Sequence, residues 1–296
     1  MNNGNLSEKE IIKALNDTQF FSSLPPYHKL QVMIIDIIKN QSIKKSNFQC
    51  WQDCNDENQG IKDEERIDEI LKILQLKNPS KTLSILYSTG LLEFCLHYCF
   101  PIKKKLSLRD FNTIIKRMDL CKGEIAVKLG VLLFPFDVDN VAKTLENANF
   151  AENVIHIITT SLKHIEDFTL IKQGQQLKQF VYKHGIEVYN YIVSFSEELV
   201  VALDLPEYKH KSKQFIMEEI RRRREPIVIE DLVIDENDLL QQGIMNPEEA
   251  KEMLHLLVEH IHIKPFDNKR EVLLKLAVKF YKNPVRRAFR KVNWIK

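Results

Sequence analysis

The chain has 296 residues, of which 44% are hydrophobic and 28% charged, with a net charge of +2 at pH 7. This composition is typical of a folded globular protein and excludes a largely disordered or collagen-like chain. No apolar run reaches the roughly 18 residues that cross a bilayer, and the N-terminus lacks the basic-then-apolar order of a signal peptide, so we expect a cytoplasmic protein without a membrane partner.

The first third of the chain predicts helices separated by one polar stretch. Only 8 glycines stand among many Leu, Ile, Lys and Glu residues, whereas strand-rich folds need frequent glycine turns, so we expect an all-α protein. Helical spacing of apolar residues covers 7–15 and 27–39, and the polar stretch 40–63 predicts a linker or long loop. A helical pattern resumes at residue 64. The next helix begins near Pro79 and ends at Thr89 and Gly90.

The rest of the chain predicts a multi-helix body followed by a small tail. Amphipathic segments cover residues 108–118, 122–133, 137–147, 151–165, 176–183, 186–203 and 206–224. Ile227, Val228 and Ile229 are three successive β-branched residues, which predict an extended strand at the start of the tail. Residues 247–260 predict a helix with proline in its first turn.

Three segments of the chain carry recognisable motifs. Residues 225–275 carry the run I-x-D-L-x-I-x-x-x-D-L-x-x-x-G-I, a PEE helix start and an N-x-x-x-x-L-L ending. Residues 64–94 carry ERI, KIL, NPSK and TGLLE in that order, and residues 177–203 form two successive amphipathic segments. In these motifs and their order the chain resembles the tail, neck and body of class II tRNA nucleotidyltransferases and bacterial poly(A) polymerases. The resemblance implies an all-α, multi-helix body and tail like the C-terminal part of these enzymes.

The same resemblance implies four segments along the chain. An N-terminal helical extension with a polar linker covers residues 1–63, and a neck-like helical hairpin covers 64–100. The helical body, which contains a degenerate phosphohydrolase-like region, covers 101–225, and the tail covers 226–296.

The residues that carry chemistry in this family are absent from the matching positions. The family's catalytic head binds the nucleotide and magnesium with a Gly-rich loop and paired aspartates, and residues 1–63 have neither. Many relatives carry a His-Asp phosphohydrolase pair in the body, but over 131–137 phenylalanine and proline precede Asp137, and His164 stands apart. We therefore expect no catalytic residue, no metal and no cofactor in this chain alone.

Histidine and cysteine groups outside these motifs give weak metal-site patterns. His255, His260 and His262 do not share one helical face, so we expect exposed or helix-terminal histidines. Two pairs of cysteines could each supply zinc ligands together with one histidine: Cys50 and Cys54 with His28, and Cys95 and Cys99 with His97. Neither has a second Cys/His pair at ligand spacing, so we expect core thiols. The five cysteines, with Cys121, are an odd number, which indicates free thiols in a reduced compartment.

Two basic clusters are the predicted RNA contacts. The first consists of Arg221, Arg222, Arg223 and Arg224. The second consists of Lys282, Arg286, Arg287, Arg290 and Lys291, interleaved with aromatic residues. Such residues neutralise phosphates and stack on bases. The alternative interpretation is structural, because a helix C-terminus favours cations and a packed helix can carry a basic solvent face.

The leading hypothesis is a polypeptide that binds tRNA or another structured RNA, without catalysis of its own. A separately encoded nucleotidyltransferase head would be its protein partner in tRNA 3′-end processing. The alternative is a helical protein-interaction scaffold that has lost RNA binding, because Glu236, Glu248 and Glu249 stand where the family usually has glycine or Gly-Pro. A third hypothesis is that the chain is a fragment of a decayed gene.

Overall fold

A computed structural model describes residues 6–54, 58–100, 108–204, 211–243 and 245–282. Within these ranges the chain forms 17 α-helices and no β-strand, which confirms the all-α prediction. None of the described helices is long and apolar enough to cross a lipid bilayer. Four short 3₁₀ segments join the helices: His97–Cys99, Met118–Leu120, Ile229–Asp231 and Pro265–Asp267.

Seventeen helices follow one another along the described parts of the chain. Their bounds are α1 (Glu8–Asn16), α2 (Thr18–Ser23), α3 (Pro26–Asn40), α4 (Lys45–Asp53), α5 (Asp63–Leu74), α6 (Pro79–Ser88), α7 (Leu91–Cys95), α8 (Leu108–Arg117), α9 (Ile125–Leu133), α10 (Val138–Asn147), α11 (Glu152–Leu170), α12 (Gly174–His184), α13 (Ile186–Leu203), α14 (Lys211–Arg222), α15 (Glu236–Leu240), α16 (Pro247–Ile263) and α17 (Arg270–Lys282).

Local capping chemistry explains several of the helix starts. Ser7 accepts a hydrogen bond from the backbone of Glu10, whose carboxylate accepts one in return, so α1 begins with a capping box. Asn246 and Glu249 form the same reciprocal pair at the start of α16, where Pro247 occupies the first turn. Each such cap stabilises a helix end by about 1 kcal/mol.

Contacts divide the chain into two compact units. The first unit comprises Met1–Ile165 and Tyr191–Lys209, and the second comprises Glu166–Asn190 and His210–Lys296. Two of the three boundaries fall within α11 and α13. The four segments implied by the family resemblance stay a prediction, and the two units group them differently.

The first unit has an aromatic core. Phe111 of α8 is fully buried and packs edge-on against Tyr87 and Phe136, with ring centroids 5.2 Å apart in both pairs. Burying one such ring contributes about 2 kcal/mol to folding. At Gly130 of α9 the Tyr191 side chain approaches so closely that a Cβ there would overlap its hydroxyl, which donates to the carbonyl of Ala126 at 2.9 Å.

The second unit is organised around α16, which packs against α12, α15 and α17. Its apolar residues form one core, which consists of Leu232, Ile234, Leu239, Met245, Ala250, Met253, Leu254, Leu257, Val258, Ile261, Leu273, Ala277 and Phe280. All these residues come from the predicted tail, residues 226–296, so this segment has an apolar core of its own.

Two local predictions are wrong. The stretch 40–63 is not a long loop, because it contains α4, whose Trp51 is buried and packs edge-on against Phe94 with centroids 5.2 Å apart. Its buried Asn47 also donates to the carbonyl of Ala14 at 3.2 Å. The expected strand at the start of the tail is not formed. Val228 has an extended backbone but belongs to no strand among the described residues, and the 3₁₀ segment Ile229–Asp231 follows it.

Candidate functional site

The first predicted RNA contact is exposed at the end of α14. Arg221, Arg222, Arg223 and Arg224, here called the arginine cluster, all lie on the surface of the second unit. Lys282 is exposed at the end of α17. The other members of the second predicted cluster, Arg286, Arg287, Arg290 and Lys291, lie outside the described residues.

The arginine cluster forms the C-terminal stop of α14. The amide of Glu225 donates to the carbonyl of Ile220 at 3.0 Å, and the amide of Arg224 donates to the carbonyl of Arg221 at 3.0 Å. This is the Schellman arrangement, in which the residue before the last donor adopts a left-handed backbone. That residue is Arg224, with φ of 52°. Glycine usually fills this position, since a side chain there costs about 1 kcal/mol.

The four arginines differ in their electrostatic partners. Glu219 accepts from Arg222 at 2.6 Å and lies 3.5 Å from Arg223, whose other amino group is 3.9 Å from Glu225. Within the described part of the chain, no carboxylate lies at ion-pair distance from Arg221 or Arg224. The cluster therefore presents two arginines whose charge is partly neutralised and two that remain available to an anion.

The turn that follows the cluster is anchored to the neighbouring helices. Glu225 forms an ion pair of 2.7 Å with Lys178 of α12, whose side chain is only 2% exposed. The Nε2 atom of His262 lies 2.8 Å from the carbonyl oxygen of Ile227, and because a carbonyl only accepts, this nitrogen carries the proton. Two buried side chains thus hold the chain immediately after Arg224, so the guanidinium is presented from a fixed backbone.

The start of α14 is fixed in a similar way. Lys213 is buried, and its ammonium group donates to the carbonyl of Thr169 at 3.1 Å and lies over the ring of Phe168, 5.5 Å from its centroid. Burial lowers the pKa of Lys213. The helix that carries the arginine cluster is therefore held at both ends by buried polar contacts.

A groove of about 340 Å³ lies beside the cluster within the second unit. Its walls include Phe215 of α14 and Arg223 just after that helix, and Ile263 at the end of α16 with Pro265 of the next 3₁₀ segment. Lys178 also lines it. Phe215 is 63% exposed, and Ile263 is exposed as well. We call this feature the α14 groove. It combines the flat aromatic face of Phe215 with the guanidinium group of Arg223, whose ion-pair partners Glu219 and Glu225 also line the groove.

Sequence reasoning missed the groove and its supporting residues. Phe215 stands one residue from Ile216 in an amphipathic helix and gave no sign of being on the exposed face. The buried position of Lys178 depends on Glu225, 47 residues further along the chain. Only the pairing of distant segments reveals either residue as part of the site.

Two of the three histidines of α16 are helix-terminal, as expected, and none of the three is fully exposed. His260 and His262 lie in the last turn, and His260 pairs with Asp267 at 2.8 Å. His262 is also buried, whereas His255 is half-buried in the middle of the helix and is therefore neither exposed nor helix-terminal, contrary to the expectation. His255 forms a short hydrogen bond with Tyr182, and burial raises the pKa of that tyrosine to about 12.

The remaining predicted sites are the segment expected to be a degenerate phosphohydrolase-like region and the five cysteines. Asp137 caps α10 by accepting from the amide of Asp139 at 3.0 Å. Cys95, Cys99 and Cys121 are buried, as expected for core thiols, whereas the remaining two cysteines are only half-buried. Among the residues that the structure describes, no three His, Cys, Asp or Glu side chains are grouped as a metal site.

Neither protein-family models, nor curated proteins, nor solved structures include a match to this chain.

Proposed function

We propose that the chain binds structured RNA through the arginine cluster and the α14 groove, with transfer RNA as the first ligand to test. In this proposal the polypeptide acts in the cytoplasm and contributes binding without catalysis of its own. A separately encoded nucleotidyltransferase head is its candidate protein partner, as the family resemblance implies.

The observation that carries the proposal is the arginine at the left-handed position of the α14 stop. A helix that only needed to end there would be more stable with glycine. Instead Arg224 completes a run of four arginines and, in the described part of the chain, has no carboxylate at ion-pair distance. Backbone strain retained at an exposed charge is a feature of binding sites.

Charge and shape in this region support the same ligand class. Phosphate contacts position a protein on RNA without reading sequence, and arginine is the side chain best suited to bind phosphate through two hydrogen bonds. The exposed ring of Phe215 supplies a stacking surface for an unpaired base or a ribose next to Arg223. An unpaired loop or end of a folded RNA fits this combination.

A second candidate function is a protein-interaction scaffold, favoured by the apolar side chains of the same unit. Leu170, Phe215, Ile263 and Phe266 are exposed, the last to 86%. Exposed apolar side chains in one region mark protein contacts when they form a continuous patch. Binding through such side chains depends little on salt, whereas binding to phosphates weakens steeply as salt rises.

The test is an RNA-binding titration across salt concentrations. A transfer RNA transcript lacking its 3′ CCA would be titrated with the full chain from low to near-physiological salt, beside double-stranded DNA of similar charge. We expect micromolar or tighter RNA binding that weakens with salt. The slope of the logarithm of the binding constant against the logarithm of the salt concentration is negative for phosphate binding. Replacing both Arg221 and Arg224 by alanine should reduce its magnitude by about two, since each lost phosphate contact removes about 0.9.

Matched variants separate a site from net charge. Lys39 and Lys45 are exposed lysines of the first unit, and replacing both by alanine removes the same charge. This control should bind RNA like the unaltered chain. A third variant, Arg286→Ala/Arg287→Ala/Arg290→Ala, measures the contribution of the second predicted cluster. Absence of binding at low salt, or an equal loss in the lysine control, would contradict the proposed site.

A further inference from the structure

Two of the five cysteines differ from the others in their surroundings. Cys95, Cys99 and Cys121 are buried, and burial raises the pKa of Cys95 and Cys121 to about 12 and that of Cys99 to about 11. Thiols of this kind are chemically inert, because the thiolate is the reactive form. Cys50 and Cys54 are half-buried and lie together at the end of α4, far in sequence from the RNA site.

A buried lysine lies beside one of these two thiols. Lys29 of α3 is 2% exposed, and its Nζ atom donates to the sulfur of Cys54 at 3.7 Å. Reactive cysteines occur next to cationic side chains and with part of the side chain open to solvent. Cys54 meets both conditions, whereas none of the three buried thiols is open to solvent.

The second thiol stands one helical turn before the first. Residues four apart lie on the same face of a helix, so Cys50 in the last turn of α4 and Cys54 at its C-cap are neighbours. The pKa of Cys50 is raised, first by burial and then by the neighbouring Cys54, whereas Lys29 lowers it. The Lys29 ammonium group donates to the sulfur of Cys54, so Cys54 is the better placed of the two to attack an oxidant first.

The end of α4 has the freedom that a disulfide at this spacing requires. Helical neighbours four apart have Cβ atoms about 5–6 Å apart, and a disulfide needs about 4 Å. Cys54 is already outside the helix, with φ of −99° and ψ of 29°, and its amide donates to the carbonyl of Trp51 at 3.2 Å in a tightened last turn. A shift of about 1–2 Å at the helix end is enough to join the sulfurs.

We propose that Cys54 and Cys50 are a peroxide-sensitive thiol pair in which Cys54 is oxidised first and Cys50 closes the disulfide. The thiolate of Cys54 attacks one oxygen of hydrogen peroxide, so that an S–O bond forms, the O–O bond breaks and hydroxide leaves. Cys50, deprotonated by that hydroxide, then attacks the sulfur of the sulfenic acid. An S–S bond forms, the S–O bond breaks, and the departing oxygen takes up a proton as water. Two thiols and one peroxide thus give one disulfide and two waters.

Peptide mass spectrometry tests this pair directly on the full chain. Trypsin cleaves after Lys45 and Lys62, so both cysteines fall in one peptide, residues 46–62. After limited hydrogen peroxide and alkylation of the remaining thiols, this peptide should lack two hydrogens and carry no alkyl group. Reduction by dithiothreitol should restore two alkylation sites. The other three cysteines should remain alkylated at the same peroxide concentration.

Substitutions assign the two roles. Cys50→Ser should leave a sulfenic acid on Cys54, which dimedone labels, and Cys54→Ser should leave Cys50 unoxidised. Lys29→Met should lower the oxidation rate about tenfold, because the adjacent ammonium group is lost. If the Lys29→Met variant fails to fold, the two cysteine variants still show which thiol is oxidised first.

Three results would overturn the proposal. The first is oxidation of the buried cysteines at the rate of the pair, and the second is undiminished oxidation of Cys50 in Cys54→Ser. The third is a peptide pair joined through Lys29 with one added oxygen, which would show a lysine–cysteine bridge instead of a disulfide. RNA binding is not part of these measurements, so their outcome is independent of the proposed function.

Discussion

Glu225 pairs with Lys178 at 2.7 Å, and this lysine is 2% exposed whereas the glutamate is 17% exposed. The pair joins the first residue after the arginine cluster to the middle of α12. Glu225 also lies 3.9 Å from Arg223, so its charge has a second partner, whereas that of Lys178 has no other carboxylate partner among the described residues. The two halves of this ion pair therefore contribute unequally to the free energy of unfolding.

Removing the acid should destabilise the protein more than removing the base. Glu225→Ala leaves a buried ammonium group without its carboxylate, and we expect a loss of about 2–3 kcal/mol in the free energy of unfolding. Lys178→Met leaves a partly exposed glutamate that still faces Arg223, so a smaller loss is expected. Urea denaturation gives both values. Equal losses in the two variants would contradict the asymmetry, and Lys178→Met/Glu225→Leu should recover most of the stability.

Glycine at position 224 should stabilise the fold and weaken RNA binding. Arg224→Gly removes the side chain that disfavours a left-handed backbone, whereas Arg224→Ala removes the charge and keeps the strain. We expect the glycine variant to be about 1 kcal/mol more stable than the alanine variant. Both should lose RNA affinity to the same extent. A glycine variant that binds RNA as the unaltered chain does would show that Arg224 is only a helix stop.

Phe215→Ala should weaken RNA binding without changing its salt dependence. The ring is 63% exposed, so its removal should change the free energy of unfolding by less than about 0.5 kcal/mol. Loss of one stacked base should lower affinity by about tenfold or more. Phe266→Ala is the matched comparison, because Phe266 is even more exposed but does not line the α14 groove. Equal losses from both variants would argue against stacking in the groove.

The buried His262 should make the protein less stable in mild acid. Burial lowers its pKa below the ordinary value of 6.5; the hydrogen bond to Ile227 acts in the opposite direction, and the charge of Lys178 adds to the lowering. Well above pH 6.5 both folded and unfolded chains carry the neutral ring, so this contribution to stability is fully present. As the pH falls through 6.5, the unfolded chain takes up the proton first, and the free energy of unfolding decreases.

His262→Gln isolates this contribution, because its amide nitrogen can donate to Ile227 but does not titrate. Urea denaturation at pH 7.5 and pH 5 would be compared for the two proteins. We expect the unaltered protein to lose more stability than the glutamine variant over this interval. A parallel decline in both would assign the acid sensitivity to other groups.

Where a signal is local, the sequence was a sufficient guide to this fold. The helix Pro79–Ser88 has its predicted bounds, and Gly90 after it adopts the left-handed backbone, with φ of 78°. Proline restricts its own backbone and glycine frees it, so both residues act without help from the tertiary structure. The wrong predictions are those in which a distant partner overrides local preference. The polar residues around Trp51 predict a loop, but the packing of its ring against Phe94, 43 positions later, stabilises a helix there instead.

The amino-acid sequence by itself determined an all-α chain, most helix positions and a run of four arginines at a helix end, because helical periodicity, proline and glycine act over a few residues. The tertiary structure alone decided which arginines are paired, that Lys178 is buried beneath their turn, that Phe215 faces a groove, and that Lys29 lies against Cys54. The physical reason is that burial and ion pairing depend on contacts between segments 25 to 47 positions apart, and no local pattern encodes those contacts.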